Sequence, residues 1–220
     1  MSYIDALYKR DEDKIYVVER DPKKGRVFVE YDARYVFYYE DARGKHRSMT
    51  GAPLQRVQCA TQKDFIKEQR IRSNKTLYEQ DINPVFRCLE ENYLGKETPK
   101  LNTMFFDIEV DFDPERGYAS TDDPFMPVTA ISCYMSWTDQ LVTLAVPPKT
   151  INMQEAKVLT ERFPNCMLFD KEKDMLDAFL ELVEDADILS GWNSEGYDIP
   201  YTVGRIQKVL SSDDTRRLCF

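Results

Sequence analysis

Between Lys14 and Asp41 the chain runs through KIYVVERD, RVFVEYD and YVFYYED, three stretches dense in β-branched and aromatic residues and separated by PKKG and a short polar gap. Runs of this kind read as strands, and three in succession predict an antiparallel meander. TQKDFIKEQRIRSNK, over 61–75, then reads as a helix whose few apolar positions are Phe65, Ile66 and Ile71. In INPVFRCLEENYLG a second short helix is predicted, with Asn83 as cap, Pro84 at the first position and Gly95 as stop. GKETPKLN reads as a linker, and the domain boundary is expected near residue 100.

After that point the pattern changes. PVTAISCYMSW and QLVTLAVP read as two strands joined by a turn at TD. They are followed by a helix over 152–163 capped by Asn152, a short strand CMLF, and a helix over 171–185. In the last of these, Met175, Leu176, Phe179, Leu182 and Val183 recur at the spacing of a core-facing stripe. DILSGW reads as a buried strand, and DIPYTVGRIQKVL as a helix with Ile199, Val203, Ile206 and Leu210 on one side. Strands first and then alternating helices and strands predict a mixed sheet flanked by helices. The fold class is α/β, with a β-rich domain over 1–100 and a mixed α/β domain over 101–220.

FFDIEVDFD, which opens the second half, puts Phe106, Ile108, Val110 and Phe112 on one side of a strand and Asp107, Glu109 and Asp111 on the other. The first set can bury and the second cannot. Carboxylates two residues apart on one strand repel, so either water solvates this edge or a divalent cation holds it together.

Charge sharpens the division into halves. Residues 1–100 hold 20 Lys and Arg against 17 Asp and Glu, a net of +3, whereas 101–220 hold 10 against 22, a net of −12. From 56 to 75 six basic residues (Arg56, Lys63, Lys67, Arg70, Arg72, Lys75) face two acidic ones, either a solvated helix face or a surface for phosphates. The five cysteines form no C-x-x-C pair, and with a single histidine, His46 in an apparent turn, any metal must be held by oxygen. No signal peptide and no apolar run of membrane-spanning length is present, so the expected location is the cytoplasm, with no membrane partner.

The second acidic feature is SGWNSEGYDIPY, 190–201, where a strand meets a helix through a tight turn. Asp198 falls at or just before the helix start. There it either caps the helix or, held ionised by the dipole and free N–H groups, binds a cation. Asp-x-Glu on a strand, then about 90 residues of α/β chain, then Asn-x-x-x-Tyr-Asp at a strand–helix junction can gather three carboxylates at one end of a sheet. Hard oxygen ligands suit Mg²⁺ or Mn²⁺, and two such ions roughly 4 Å apart hydrolyse phosphodiesters.

FFDIEV and GWNSEGYDIPY together resemble the first and second exonuclease motifs of family B DNA polymerases, most closely those of the replicative enzymes of tailed bacteriophages. The resemblance covers 101–220 well and 1–100 more weakly, through LYEQDINPVFRCLEENYL and the β-rich start. It implies an N-terminal polymerase domain over 1–100 and a ribonuclease-H-like 3′–5′ proofreading exonuclease domain over 101–220. Asp107, Glu109 and Asp198 would be catalytic metal ligands, Asn193 would contact the frayed primer terminus and Tyr197 would lie beside the terminal bases. Implied cofactors are Mg²⁺ or Mn²⁺, two ions in the complete site. Implied partners are DNA with a single-stranded 3′ primer end, the rest of the polymerase chain and, in the parent, a sliding clamp.

The family's third motif, a tyrosine four residues before a further carboxylate, is absent: Val209 and Leu210 stand four before Asp213 and Asp214. The palm's paired aspartates are absent too. The expectation is therefore an incomplete exonuclease domain in an N-terminal piece of a polymerase, weakly active or inactive by itself. The alternatives are a freestanding ribonuclease-H-like exonuclease and a noncatalytic nucleic-acid- or protein-binding module on the same scaffold.

Overall fold

The computed structural model describes residues 2–21 and 23–219. The chain packs as two units, residues 1–99 and 100–220.

In the first unit, β1 (Ser2–Lys9), β2 (Lys14–Asp21) and β3 (Gly25–Asp32) form an antiparallel sheet in the order β1–β2–β3. β4 (Tyr35–Glu40) does not extend it. With β5 (His46–Arg47), β6 (Pro53–Cys59) and β7 (Leu77–Tyr78) it makes a second sheet, ordered β5–β6–β4–β7. The expected meander is thus cut after β3 because Tyr35–Glu40 pairs along Leu54–Cys59 instead. β1 is a strand the sequence reading missed, and His46 lies in a short strand rather than a turn.

Helix α1 (Gln62–Ile71) begins at Thr61, whose hydroxyl accepts the Asp64 N–H, and Asn83 caps α2 (Pro84–Tyr93) through the Val85 N–H. The core beneath them contains Ile15, Val17, Ala33, Tyr35, Cys59, Cys88 and Tyr93. Its buried acid, Glu19, accepts the Tyr93 hydroxyl at 2.7 Å, so no carboxylate is left unsatisfied there.

The second unit holds a five-stranded sheet ordered β11–β10–β9–β8–β12, built from β8 (Thr103–Val110), β9 (Val128–Met135), β10 (Gln140–Ala145), β11 (Cys166–Leu168) and β12 (Ile188–Ser190). β8, β9 and β10 are antiparallel neighbours, whereas β11 and β12 join the two edges in parallel, giving a mixed sheet. Helices α3 (Met153–Thr160), α4 (Glu172–Val183) and α5 (Asp198–Val209) alternate with these later strands, and a 3₁₀ turn follows at Asp214–Leu218. This is the mixed sheet flanked by helices that the sequence pattern predicts.

The core of this unit lies between the sheet and α4 and α5. Met104, Phe106, Ile108, Ile131, Cys133 and Leu144 from the strands meet Met175, Leu176, Phe179, Leu180, Tyr201 and Ile206 from the helices. Leu180 is fully buried although the predicted stripe left it out, while Leu182 is only partly buried. DILSGW is not the buried strand expected. It supplies only three strand residues at an edge, with Ile188 41% and Trp192 92% exposed. Among the described residues no helix is long and apolar enough to cross a membrane, and the cysteines are free thiols.

Candidate nuclease site

Strand alternation works on β8 as the pattern required, up to Val110. Phe106 and Ile108 are buried, with Phe106 against the Phe179 ring at 5.5 Å, while Asp107 and Glu109 stand exposed on the opposite face. Phe112 breaks the expectation. It lies past the end of the strand, 47% exposed, with its ring 4.8 Å from that of Tyr118. Asp111 is exposed and accepts the adjacent Phe112 N–H, and Asp113 closes a turn by accepting the N–H groups of Glu115 and Arg116. On the neighbouring β9, Ser132 faces Asp107 and Ala130 faces Glu109, so only small side chains flank the two carboxylates.

β12 pairs with β8 only from Thr103 to Phe105, which leaves the β8 edge unpaired where the acids begin. The chain turns away at Gly191, where a Cβ would come within 2.3 Å of the Phe106 carbonyl oxygen, so only glycine fits this approach. Asn193 follows with φ +55°, and its carbonyl accepts the N–H groups of Gly196 and Tyr197, each at 3.0 Å. This turn delivers Asp198 to the first position of α5.

Asp198 is 4% exposed and does not cap the helix with its side chain. Its carboxylate instead reaches back to the open β8 edge and accepts the Ile108 N–H at 3.4 Å, a long hydrogen bond. Burial raises its pKa above the ordinary carboxylate range. The Ile108 N–H opposes the shift, and the Asp107 charge adds to it. At this helix start desolvation therefore outweighs the backbone donors, and the net effect on the Asp198 carboxyl is an upward shift.

Asp107 and Asp198 thus come within electrostatic range, but Glu109 does not close a trio. Among the described residues no group of three or more His, Cys, Asp or Glu is gathered to hold a metal ion. Asn193 is exposed, and its side chain folds over Gly196, where a Cβ would come within 2.4 Å of Oδ1. Tyr197 is half-buried and stacks on Tyr201 with centroids 5.2 Å apart.

Two features of the site went unread in the sequence. The Tyr201 hydroxyl donates to the Met126 carbonyl at 2.8 Å, and the Arg205 guanidinium donates to the carbonyls of Pro124 and Phe125 while gripping Glu172 as an ion pair. Both anchor α5, and with it Asp198, to the segment leading into β9. The other is a cleft of about 520 Å³ on the open face, lined by Phe105, Asp107, Ser132, Tyr134, Leu141 and Trp192 among others. Phe105 shares the face of Asp107 by simple alternation, so that part was legible.

Such a sheet flanked by helices, with acids on its open face and a buried carboxylate at a strand–helix junction, defines an α/β domain. Residues 49–218 match the family described as DNA polymerase family B, exonuclease domain, and the chain belongs to that family. It is 26% identical over 197 residues to the DNA-directed DNA polymerase of Escherichia phage RB69, covering 79% of this chain and 22% of that enzyme. Over 53 residues, 23% of this chain and 6% of the relative, it is 40% identical to the DNA-directed DNA polymerase of Enterobacteria phage T4. The chain therefore spans about a fifth or less of the length of these relatives.

Proposed function

We propose that this chain carries the N-terminal domain, residues 1–100, and part of the 3′–5′ exonuclease domain, residues 101–220, of a family B DNA polymerase acting in viral DNA replication in the host cytoplasm. Asp107, Glu109 and Asp198 serve as its metal-binding acids. The observation that carries the reading is Asp198, a buried carboxylate tied to β8 by a long hydrogen bond and set beside the charge of Asp107. A repelling, under-satisfied pair of oxygen donors fits Mg²⁺ or Mn²⁺. Bound there, hard divalent cations supply Lewis-acid activation of water and charge stabilisation at a phosphodiester.

The chain's own residues would hold the substrate. Asn193 offers an amide to a sugar or base of the primer end, and Tyr197, Phe105 and Trp192 offer rings on which unpaired bases stack. In the parent enzyme the outcome is removal of the primer-terminal nucleotide, with the rest of the polymerase and a sliding clamp as partners. Because the third motif and its carboxylate are not among these residues, this chain alone is weakly active or inactive.

Mn²⁺ uptake by the isolated chain tests the shared site: it should be lost in both Asp107→Ala and Asp198→Ala. Robust digestion of single-stranded DNA with Mg²⁺, abolished by Asp107→Ala, would show instead that the chain suffices. The incomplete trio of acids favours one competing reading, a noncatalytic module, which predicts DNA binding without any metal uptake.

A further inference from the structure

The basic run over 56–75 has no part in the site above; Arg56 lies on β6, and the structure sorts the other five into two groups. Arg72 pairs with Glu68 and lies over the Tyr39 ring at 4.9 Å, while Lys75 lies over the same ring at 4.5 Å and approaches Asp41. These two cations are spent within the fold. Among the described residues Lys63, Lys67 and Arg70 have no acidic partner, and all three are exposed.

Their spacing of i, i+4 and i+7 puts the three on one stripe of α1. Phe65, on the opposite side of the helix, packs against Tyr35 and Phe37 with centroids at 5.6 Å in each case, so the stripe faces away from the core. Both acids of the helix are engaged, Asp64 with the Thr61 cap and Glu68 with Arg72. In a chain of net charge −9 a bare stripe of three cations is a local exception to the overall repulsion of anions.

We propose that the outward face of α1, through Lys63, Lys67 and Arg70, is a docking surface for the sugar–phosphate backbone of a DNA strand, separate from the acidic site of the second unit. DNA is the polyanion favoured because the chain belongs to a DNA polymerase family. A contact made by these three cations to phosphates is sequence-independent and sensitive to salt.

Fluorescence anisotropy of a labelled oligothymidylate, with a duplex of equal length in parallel, tests this in EDTA, where the metal site plays no part. Three phosphate contacts give a salt slope of about −2 for a single strand, or roughly a 20-fold loss of affinity between 50 and 200 mM salt. The triple variant Lys63→Ala/Lys67→Ala/Arg70→Ala should lose that dependence on the strand form that binds. The control Lys23→Ala/Lys24→Ala/Lys45→Ala, which removes the same charge from other exposed positions, should keep it. Equal weakening in both triples, or no binding by the unaltered chain at 50 mM salt, overturns the proposal. An unchanged thermal melt of the α1 triple excludes misfolding as the cause of lost binding; a melt lowered to match the loss overturns the assignment.

Discussion

The Asp198 carboxylate takes the Ile108 N–H at 3.4 Å, joining the first turn of α5 to the middle of β8 across 90 residues of chain. The bond answers a local need of the sheet, since β12 stops pairing at Phe105 and leaves that N–H without a strand partner. It also fixes a buried carboxylate beside Asp107, which costs stability unless a cation or a proton relieves it.

Asp198→Asn should therefore stabilise the metal-free chain at neutral pH. A carboxyl whose folded pKa is raised binds its proton more tightly when folded, so its cost is present above the raised pKa and vanishes below the ordinary carboxylate range. A Tm about 2–4 °C above that of the unaltered chain at pH 7, the effect of roughly 1 kcal/mol at this size, should shrink to nothing at acid pH. An advantage that persists unchanged at low pH would rule out relief of charge as its source.

Divalent cations should relieve the same repulsion. Mn²⁺ at a hundredfold excess over its Kd should add about 2.7 kcal/mol to the stability of the unaltered chain. In Asp107→Ala and in Asp198→Asn the thermal shift should disappear. A full shift in both variants would place the cation elsewhere.

Arg205 and Glu172 form a buried fork, with Nε on Oε1 at 2.8 Å and side chains 10% and 12% exposed. Glu172 also accepts the Val128 N–H, and Arg205 holds two carbonyls, so either substitution strands polar groups. Arg205→Met should cost about 3–5 kcal/mol in denaturant unfolding. Adding Glu172→Gln to that variant should cost much less than Glu172→Gln does alone, and additive losses would deny the coupling.

At Gly191 even a methyl group collides with the Phe106 carbonyl oxygen. Gly191→Ala should cost about 1–3 kcal/mol, because the obstacle is backbone of β8. Since the displaced turn carries Asn193 and Asp198, Mn²⁺ uptake should weaken with it. A variant as stable as the unaltered chain would mean that the turn can move freely.

The strand through Phe105–Val110, its division into buried Phe106 and Ile108 and exposed Asp107 and Glu109, and the helix starts at Asn83 and Asn152 were all legible in the sequence, whereas the end of that strand before Phe112 was not. Each depends on a local rule, alternation or capping, that needs only near neighbours. The break after β3, the exposed edge at Ile188–Ser190 and the upward pKa shift of Asp198 were not legible. They follow from which strand Tyr35–Glu40 pairs with, where β12 stops, and how deeply α5 is set against β8. Periodicity along one segment fixes which face of a strand is acidic, but distances between residues 90 apart come only from packing. The sequence by itself determined that acids line one side of β8 and that a second acid opens α5; the tertiary structure alone decided that Asp198 is buried against the open edge of β8, within reach of the Asp107 charge.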